Sequence, residues 1–206
     1  MTDGTAPNQI SPSMEDRILD AAYRCFERFG MAKTGMEDIA SEANVSRRTV
    51  YRHFSSKDDI IDGVCCREAV KINAEVRRNI NRDMDFPNLL TEALLTIVLA
   101  AHDNVYMRSV LETTTFEAQA FLSSSRVQQL NRKWWQRMME RAAANGEIAA
   151  DLSLDDILSW LMLAQSMLHV RLRAGAEKED LRRLIRRFVV EPLTTSHPSH
   201  PLPPSP

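Results

Sequence analysis

The chain has 206 residues, of which 44% are hydrophobic and 26% charged, and its formal net charge is −2. These values are ordinary for a folded soluble protein and exclude a chain coated in basic surface, so any nucleic-acid binding must use a local patch. Three cysteines provide neither a disulfide framework nor a zinc-ligand spacing. Since no signal peptide and no apolar run of ~20 residues is present, we predict a cytoplasmic protein with no membrane contact and no cofactor.

The pattern between the two ends of the chain is helical almost throughout, with few glycines and no convincing strand, which predicts an all-α fold. Residues 1–13 are expected to form a disordered leader, and the proline-rich residues 194–206 a disordered tail. We predict a DNA-binding domain over 14–60 and a helical ligand-binding and dimerisation domain over 61–193.

Three helices are predicted near the N-terminus. Apolar residues at helical spacing form a first helix that stops at Gly30, because glycine favours the turn just past a helix end. A second, short helix is expected to end at Asn44, one of the few residues besides glycine that tolerates a left-handed turn. Ser46 is positioned to cap a third short helix over residues 47–53. Two short helices joined by a three-residue turn have the form of a helix-turn-helix.

The third of these helices lies in a segment without carboxylates. No Asp or Glu occurs between Ala43 and Lys57, although acidic residues stand on both sides. A helix that enters the major groove must avoid carboxylates, because DNA carries one negative charge per ~1.7 Å. Val50 and Phe54 would hold this helix to the domain. The candidate DNA-contacting residues are Ser46, Arg47, Arg48, Thr49, Tyr51, Arg52, His53 and Lys57.

Position along the helix separates the expected roles. Arg47 and Arg48, at the helix start, are candidates for paired hydrogen bonds to guanine, and Thr49 for a phosphate or a thymine methyl. Tyr51, His53 and Lys57 are candidates for phosphate contacts, which position the protein without reading sequence. The alternative is a solvated cationic face on an ordinary helical domain.

A known family shares these features in order. RILDAAYRCFERFG, then T-x-M-x-D-I-A-x-x-A, then V-S-x-x-T-V-Y-R-H-F-x-x-K-D-D-I, resemble the N-terminal domain of the TetR family of bacterial transcriptional regulators, over residues 15–63. The resemblance implies that Thr34 also contacts DNA, along with the basic positions already named. Gly35 departs from the family, which often has a hydroxyl residue there, as do Asn44 in place of the usual turn glycine and Arg48 at an often small position.

Further helices are predicted beyond Lys57, the last two over about 154–173 and 177–191. The first of this pair is apolar on nearly every side and must therefore be buried on every side. The second carries an apolar stripe of Leu181, Leu184, Ile185 and Phe188. The pair resembles the four-helix dimer interface of the family, and packing within one chain is the alternative. Four arginines facing away from the stripe (182, 183, 186 and 187) are interpreted as a solvated face or, alternatively, a second nucleic-acid surface.

A ligand site is expected in the C-terminal domain. Aromatic and methionine side chains provide an adaptable apolar lining, and a few polar residues among them offer hydrogen bonds. The candidates are His102, Phe116, Phe121, Trp134, Met138, Met162, Gln165 and His169. For the polar three, an ordinary hydrogen bond in the core or at the surface is the alternative.

The function predicted on these grounds is a homodimeric repressor that a largely apolar small molecule releases from a palindromic DNA operator. One alternative is a regulator of the same fold that senses redox state or metal through Cys65 and Cys66. Another is a helical lipid-binding protein or enzyme that never meets DNA. No nucleophile elbow, phosphate loop, metal-ligand pair or carboxylate dyad of recognisable spacing occurs, so we expect no catalytic activity.

Overall fold

The computed structural model of the protein describes residues 12–81, 83–113 and 126–194, with the side chains of 111–113 left out. The chain divides into two compact units, Met1–Val64 and Cys65–Pro206. In the described residues the secondary structure is helical apart from one isolated bridge between Ile148 and Thr194. The predicted all-α fold is confirmed, while the predicted domain limits remain predictions.

The N-terminal unit contains helices α1 (Met14–Phe29), α2 (Met36–Glu42) and α3 (Arg47–His53), and the beginning of α4 (Lys57–Asn79). Each contributes apolar side chains to one small core, because each presents apolar residues three or four positions apart on a single face. The fully buried members of this core are Ile18, Ala21, Ala22, Ile39, Val50, Phe54, Ile60 and Val64.

Local signals set the helix ends as predicted. Gly30 has φ 81° and donates its N–H to the carbonyl of Phe26 over 2.9 Å, which ends α1. Asn44 has φ 54°, a left-handed conformation that ends α2 and reverses the chain. The Ser46 hydroxyl accepts a hydrogen bond from the Thr49 N–H over 3.1 Å and thereby caps α3. The turn between α2 and α3 is therefore fixed by residues whose roles are local.

Gly63 allows α4 to pack closely in the N-terminal unit. A Cβ atom at this position would lie 3.0 Å from a methyl group of Leu19 and 3.4 Å from the ring of Phe54. A larger residue would push against α1 and against the end of α3 at once, since 3.0 Å is shorter than ordinary van der Waals contact. The absence of a side chain at Gly63 thus allows α4 to pack against Leu19 and Phe54.

The C-terminal unit contains the rest of α4, α5 (Phe86–Asp103), α6 (Val105–Thr113), α7 (Arg126–Ala144), α8 (Leu154–Arg173) and α9 (Lys178–Leu184). The Asp85 and Ser153 side chains cap α5 and α8. A single apolar core draws on these helices, and Trp135, Leu94, Leu161 and Leu168 are among its largest buried members. No helix in the described ranges has the length and apolar character needed to cross a bilayer.

The prediction of one continuous α-helix over 177–191 is wrong. The α-helix ends at Leu184 and is followed by a π-helical turn over Ile185–Val190 and a 3-10 turn over Glu191–Leu193. Pro192 gives a physical reason for the end of this segment, because it has no N–H to donate to the Phe188 carbonyl and its ring clashes with that carbonyl. The turn rotates the stripe, so that Leu181 and Ile185 are buried in their own chain while Phe188 is 64% exposed.

Two residues assigned to the ends of the chain belong instead to the folded units. Ser13 caps α1, its hydroxyl accepting from the Asp16 N–H over 3.1 Å. Thr194 is buried and pairs with Ile148, next to the hydrogen bond from the Ala149 N–H to the Leu193 carbonyl. The remainder of the expected leader and tail, residues 1–11 and 195–206, lies outside the described residues.

The four arginines near the last helix do not form a free cationic face. Arg182 reaches from α9 to Glu92 of α5, with N–O distances of 2.6 and 3.2 Å. Arg183 pairs with Asp180, Arg186 with Asn88, and Arg187 with Glu191. Paired carboxylates cancel much of the positive charge, which argues against a second nucleic-acid surface here.

Candidate nucleic-acid interface

Helix α3 buries one face and exposes the other. Val50 and Phe54 have no exposed surface, and the Phe54 N–H closes the helix by bonding to the Val50 carbonyl over 2.9 Å. Arg47, Arg48, Tyr51 and Arg52 are exposed on the opposite side. Three guanidinium groups and one phenol hydroxyl on a helix without carboxylates form a donor-rich surface suited to phosphates and base edges.

The first arginine of the helix is held by its neighbours. The Arg47 guanidinium lies 5.4 Å from the centre of the Tyr51 ring, and its Nη2 donates to the Tyr51 hydroxyl over 3.5 Å. Its Nη1 lies 3.9 Å from a carboxylate oxygen of Glu37 on α2. The hydrogen bond to Tyr51, followed by the charge of Glu37, raises the pKa of Arg47. Tyr51 and Glu37 thus lie beside the Arg47 guanidinium at the start of α3.

The two hydroxyl residues of α3 bind each other. Ser46 Oγ and Thr49 Oγ1 are 2.8 Å apart, and Ser46 also accepts the Thr49 N–H. Ser46 is exposed and Thr49 half-buried. Each hydroxyl retains capacity for a further hydrogen bond, so phosphate contact by either remains a prediction.

Lys57 and His53 lie at the far end of the surface. The Lys57 ammonium donates to the carbonyls of Met31 and Ala32, both over 3.1 Å, and so fastens the loop after α1 to the start of α4. An ammonium has three donors, which leaves one for a phosphate. His53 is half-buried, and its Nε2 is buried without a hydrogen-bond partner in the described part of the chain.

Thr34 does not fit the DNA contact that the resemblance implied. Only 1% of the Thr34 surface is exposed. Its hydroxyl lies 2.9 Å from the Gly30 carbonyl and 3.3 Å from the Cys25 carbonyl and can donate a hydrogen bond to either. Its N–H bonds to the Gly30 carbonyl as well. The Thr34 hydroxyl therefore binds backbone carbonyls at the end of α1 and is not exposed for a phosphate contact.

Sequence reasoning missed features of the N-terminal unit that depend on packing between its helices. Glu37 lies outside the acid-free segment in sequence, yet α2 places it beside Arg47. A surface pocket of about 410 Å³ is lined by Arg28, Phe29, Lys33 and Asp38. The basic residues were visible in the sequence, but no local pattern shows which helix face or loop will be adjacent to α3.

The predicted ligand residues of the C-terminal unit are distributed between its core and the edge of that core. Gln165 and His169 are buried, four residues apart on α8. Trp134, Met138 and Met162 are partly buried against the core, and His102 on α5 is half-buried. Trp134 and Trp135 meet edge to face, with ring centres 4.5 Å apart. Phe116 and Phe121 lie outside the described residues.

His169 is the least satisfied polar group of this set. It is 6% exposed, and its Nδ1 has no hydrogen-bond partner in the described ranges. Burial, with smaller contributions from the charges of His102 and Arg173, lowers the pKa of His169 to about 4. The imidazole is therefore neutral at physiological pH and offers a hydrogen bond to a neutral or acidic group.

The buried histidine predicts a pH-dependent stability. The unfolded chain takes up a proton near pH 6.5 and the folded chain only near pH 4, so the free energy of unfolding should fall as the pH drops between these values, by up to about 3 kcal/mol. Below pH 4 both states are protonated and this loss stops growing. Urea unfolding of the wild type and of His169→Leu at pH 7, 5.5 and 4.5 measures it: the variant should lose less stability with acid. Equal acid sensitivity of the two proteins would contradict the assignment.

The cysteines give little support to a sensor. Cys25 and Cys65 are buried, and Cys66 is half-buried. Burial raises the pKa of the Cys25 thiol and lowers its reactivity. Within residues 12–81, 83–113 and 126–194, no group of three His, Cys, Asp or Glu side chains is arranged to hold a metal ion.

Comparison with known proteins agrees with this geometry. Residues 18–64 match the family model described as bacterial regulatory proteins, tetR family. An uncharacterised helix-turn-helix transcriptional regulator of Mycobacterium tuberculosis is 32% identical over 99 residues, which cover 48% of this chain and 49% of the relative. The chain thus spans about half the length of this relative. The transcriptional repressor KstR of the same organism is 28% identical, with 70% of each chain covered.

A solved structure resembles the fold over most of the chain. The crystal structure of RolR in complex with resorcinol matches with a TM-score of 0.66 and 14% sequence identity, covering 85% of this chain and 87% of the other. At this identity the likeness concerns the fold alone.

The capped short helix, the left-handed turn before it and the exposed basic face define a helix-turn-helix unit, the architecture of DNA-binding regulators. The match over residues 18–64 covers the same helices, so this unit is similar to the bacterial regulatory proteins of the tetR family.

Proposed function

We propose that the protein is a homodimeric transcriptional repressor that binds a two-fold symmetric DNA operator through α3 and releases it when a largely apolar small molecule enters the C-terminal unit. The observation that carries the proposal is the division of α3. Val50 and Phe54 fix its inner face, and the outer face presents Arg47, Arg48 and Arg52 without a carboxylate of its own. A helix of this kind fits the major groove of B-DNA.

Dimerisation is supported by a face of α8 that no described part of the chain covers fully. Trp160, Leu163, Met167 and Val170 follow each other at intervals of three and four residues, and we name them the α8 stripe. Three of them are large exposed apolar side chains, with exposures of 38, 43 and 39% for Trp160, Leu163 and Val170. Exposed Phe188 follows on the last helical segment. Apolar side chains in such a row mark a protein interface, and the 3–4 spacing suits helix-on-helix packing.

Release by a ligand requires a difference in affinity between two states. In the dimer, the two copies of α3 must be spaced by whole turns of DNA, ~34–36 Å. Helix α4 contains residues of both units, and a ligand that prefers a shifted α4 would shift the population toward a spacing that does not fit DNA. Buried, neutral His169 and the apolar side chains of α7 and α8 support a ligand with a small polar group on an apolar body. The solved RolR structure of similar fold contains resorcinol.

A salt-dependent mobility-shift titration tests the function. A duplex selected from a random pool by the wild-type protein should be two-fold symmetric and should be bound more tightly than random DNA. Its affinity should fall steeply with salt, with a slope of about −0.9 per neutralised phosphate. Selection of no preferred duplex would reject the proposal.

Arg48→Ala should weaken binding to the selected duplex about tenfold or more, and binding to random DNA much less, because a paired contact to guanine discriminates between bases by ~1–3 kcal/mol. Arg52→Ala is the matched variant: Arg52 is exposed nearer the end of the same helix, and its loss should weaken both DNAs by similar factors, as expected for a phosphate contact. Fluorescence anisotropy with the two duplexes measures both. Equal losses for Arg48→Ala would contradict a base-reading role.

A further inference from the structure

The recognition surface contains one carboxylate that the sequence pattern did not place there. Glu37, in the first turn of α2, lies 3.9 Å from Arg47 at the start of α3. The side chains of Arg47 and Glu37 are 60% and 83% exposed. An exposed pair at this distance contributes little to folding stability. Its effect must therefore be sought in the DNA complex.

The position of Glu37 matters because its carboxylate lies 3.9 Å from Arg47 Nη1, so a phosphate that binds this end of the guanidinium is brought close to a like charge. Screening does not remove repulsion from phosphates at this range, since the Debye length is ~8 Å at physiological salt. On random DNA, where Arg47 acts only as a counter-charge for phosphates, Glu37 cancels part of the gain.

The same carboxylate has a different effect where Arg47 reads a base. Tyr51 lies against one part of the guanidinium and Glu37 against another. Holding a long side chain in one orientation before binding reduces the entropy lost when it forms directed hydrogen bonds. Glu37 thus opposes the non-specific contact and favours the directed one.

We propose that Glu37 is a positioning residue that raises sequence specificity by holding Arg47 for base contact and by repelling DNA that offers Arg47 only phosphates. The proposal rests on the proposed DNA-binding function and adds to it a residue of α2, outside the recognition helix.

The test is a double-mutant cycle with Glu37→Gln and Arg47→Ala, measured as dissociation constants for the wild-type-selected duplex and for a random duplex of the same length. Glu37→Gln should tighten binding to random DNA about fivefold and change binding to the selected duplex less than about twofold, so that the specificity ratio falls about fivefold. In the Arg47→Ala background, Glu37→Gln should leave the ratio unchanged, because its partner is absent.

Glu15→Gln provides the matched control. Glu15 is an exposed acid in the first turn of α1, so the variant makes the same change of net charge on another helix. Its specificity ratio should equal that of the wild type. Circular dichroism melts should show all variants folded, since Gln and Glu have similar helix propensities.

The outcomes separate the two proposals. Failure of the wild type to select any duplex rejects the DNA-binding function, and this inference with it. Normal selection by the wild type overturns this inference alone in three cases: the ratio of Glu37→Gln stays at the wild-type value, it falls equally in the presence and absence of Arg47, or Glu15→Gln lowers it by the same factor.

Discussion

Leu163→Glu is expected to yield a monomer that binds the selected duplex at least about 100-fold more weakly than the wild type. Leu163 is 43% exposed at the centre of the α8 stripe, between Trp160 and Val170. In a two-fold dimer the substitution would bury two carboxylates in an apolar contact, and each would lose hydration without gaining a partner. A monomer contacts only one half-site. Joining two binding modules in one molecule raises the affinity ~10²–10⁴-fold over a single module, and the monomer loses this gain. Sedimentation equilibrium gives the mass, and anisotropy the affinity.

Val105→Glu is the control for that substitution. Val105 is 58% exposed in the first turn of α6, where an acid suits the helix dipole. This variant should remain dimeric and bind DNA as the wild type does. A dimeric Leu163→Glu protein with unchanged affinity would show that the α8 stripe is not the interface.

Phe54→Ala is expected to abolish DNA binding by unfolding the N-terminal unit. Phe54 has no exposed surface and lies against the position of Gly63 on α4, at the point where α3 ends. Deleting a buried aromatic ring lowers the free energy of unfolding by about 3–5 kcal/mol. A core as small as that of the N-terminal unit has little stability to lose, so α3 would no longer be held at its inner face.

Urea unfolding followed by far-ultraviolet circular dichroism, with binding to the selected duplex measured in parallel, tests this expectation. Phe29→Ala is the matched change, because Phe29 is 46% exposed at the end of α1. Its ring centre lies 5.1 Å from the Arg28 guanidinium carbon. It should lower stability by less than about 1 kcal/mol. Similar losses in the two variants would mean that burial of Phe54 does not hold α3.

Much of the N-terminal unit could be predicted because its signals are local. Gly30 and Asn44 end helices through their own backbone conformations, and Ser46 caps α3 through an N–H three residues away. The inward direction of Val50 and Phe54 follows from spacing alone, because residues four apart lie on one helix face. The outward direction of Arg47, Arg48 and Tyr51 follows for the same reason.

The misplaced residues have partners or neighbours that the local pattern did not identify. Thr34 was assigned to DNA by its place in a motif, but its hydroxyl closes the end of α1 at Gly30 and Cys25. Arg182 was assigned to solvent, but it pairs with Glu92, 90 residues away. The stripe of the last helix was assigned to one face, but the π-helical turn sends Ile185 inward and Phe188 outward.

The amino-acid sequence by itself determined where most described helices begin and end, and which face of α3 is basic. These properties depend on backbone conformation, capping and a 3.6-residue period, all of which act within a few residues. Only the tertiary structure decided that Glu37 lies beside Arg47, that Thr34 is buried, and that the α8 stripe lacks a partner within its own described fold. Contacts between helices depend on how their surfaces fit together, and no periodicity along one helix specifies the residue it will meet on another.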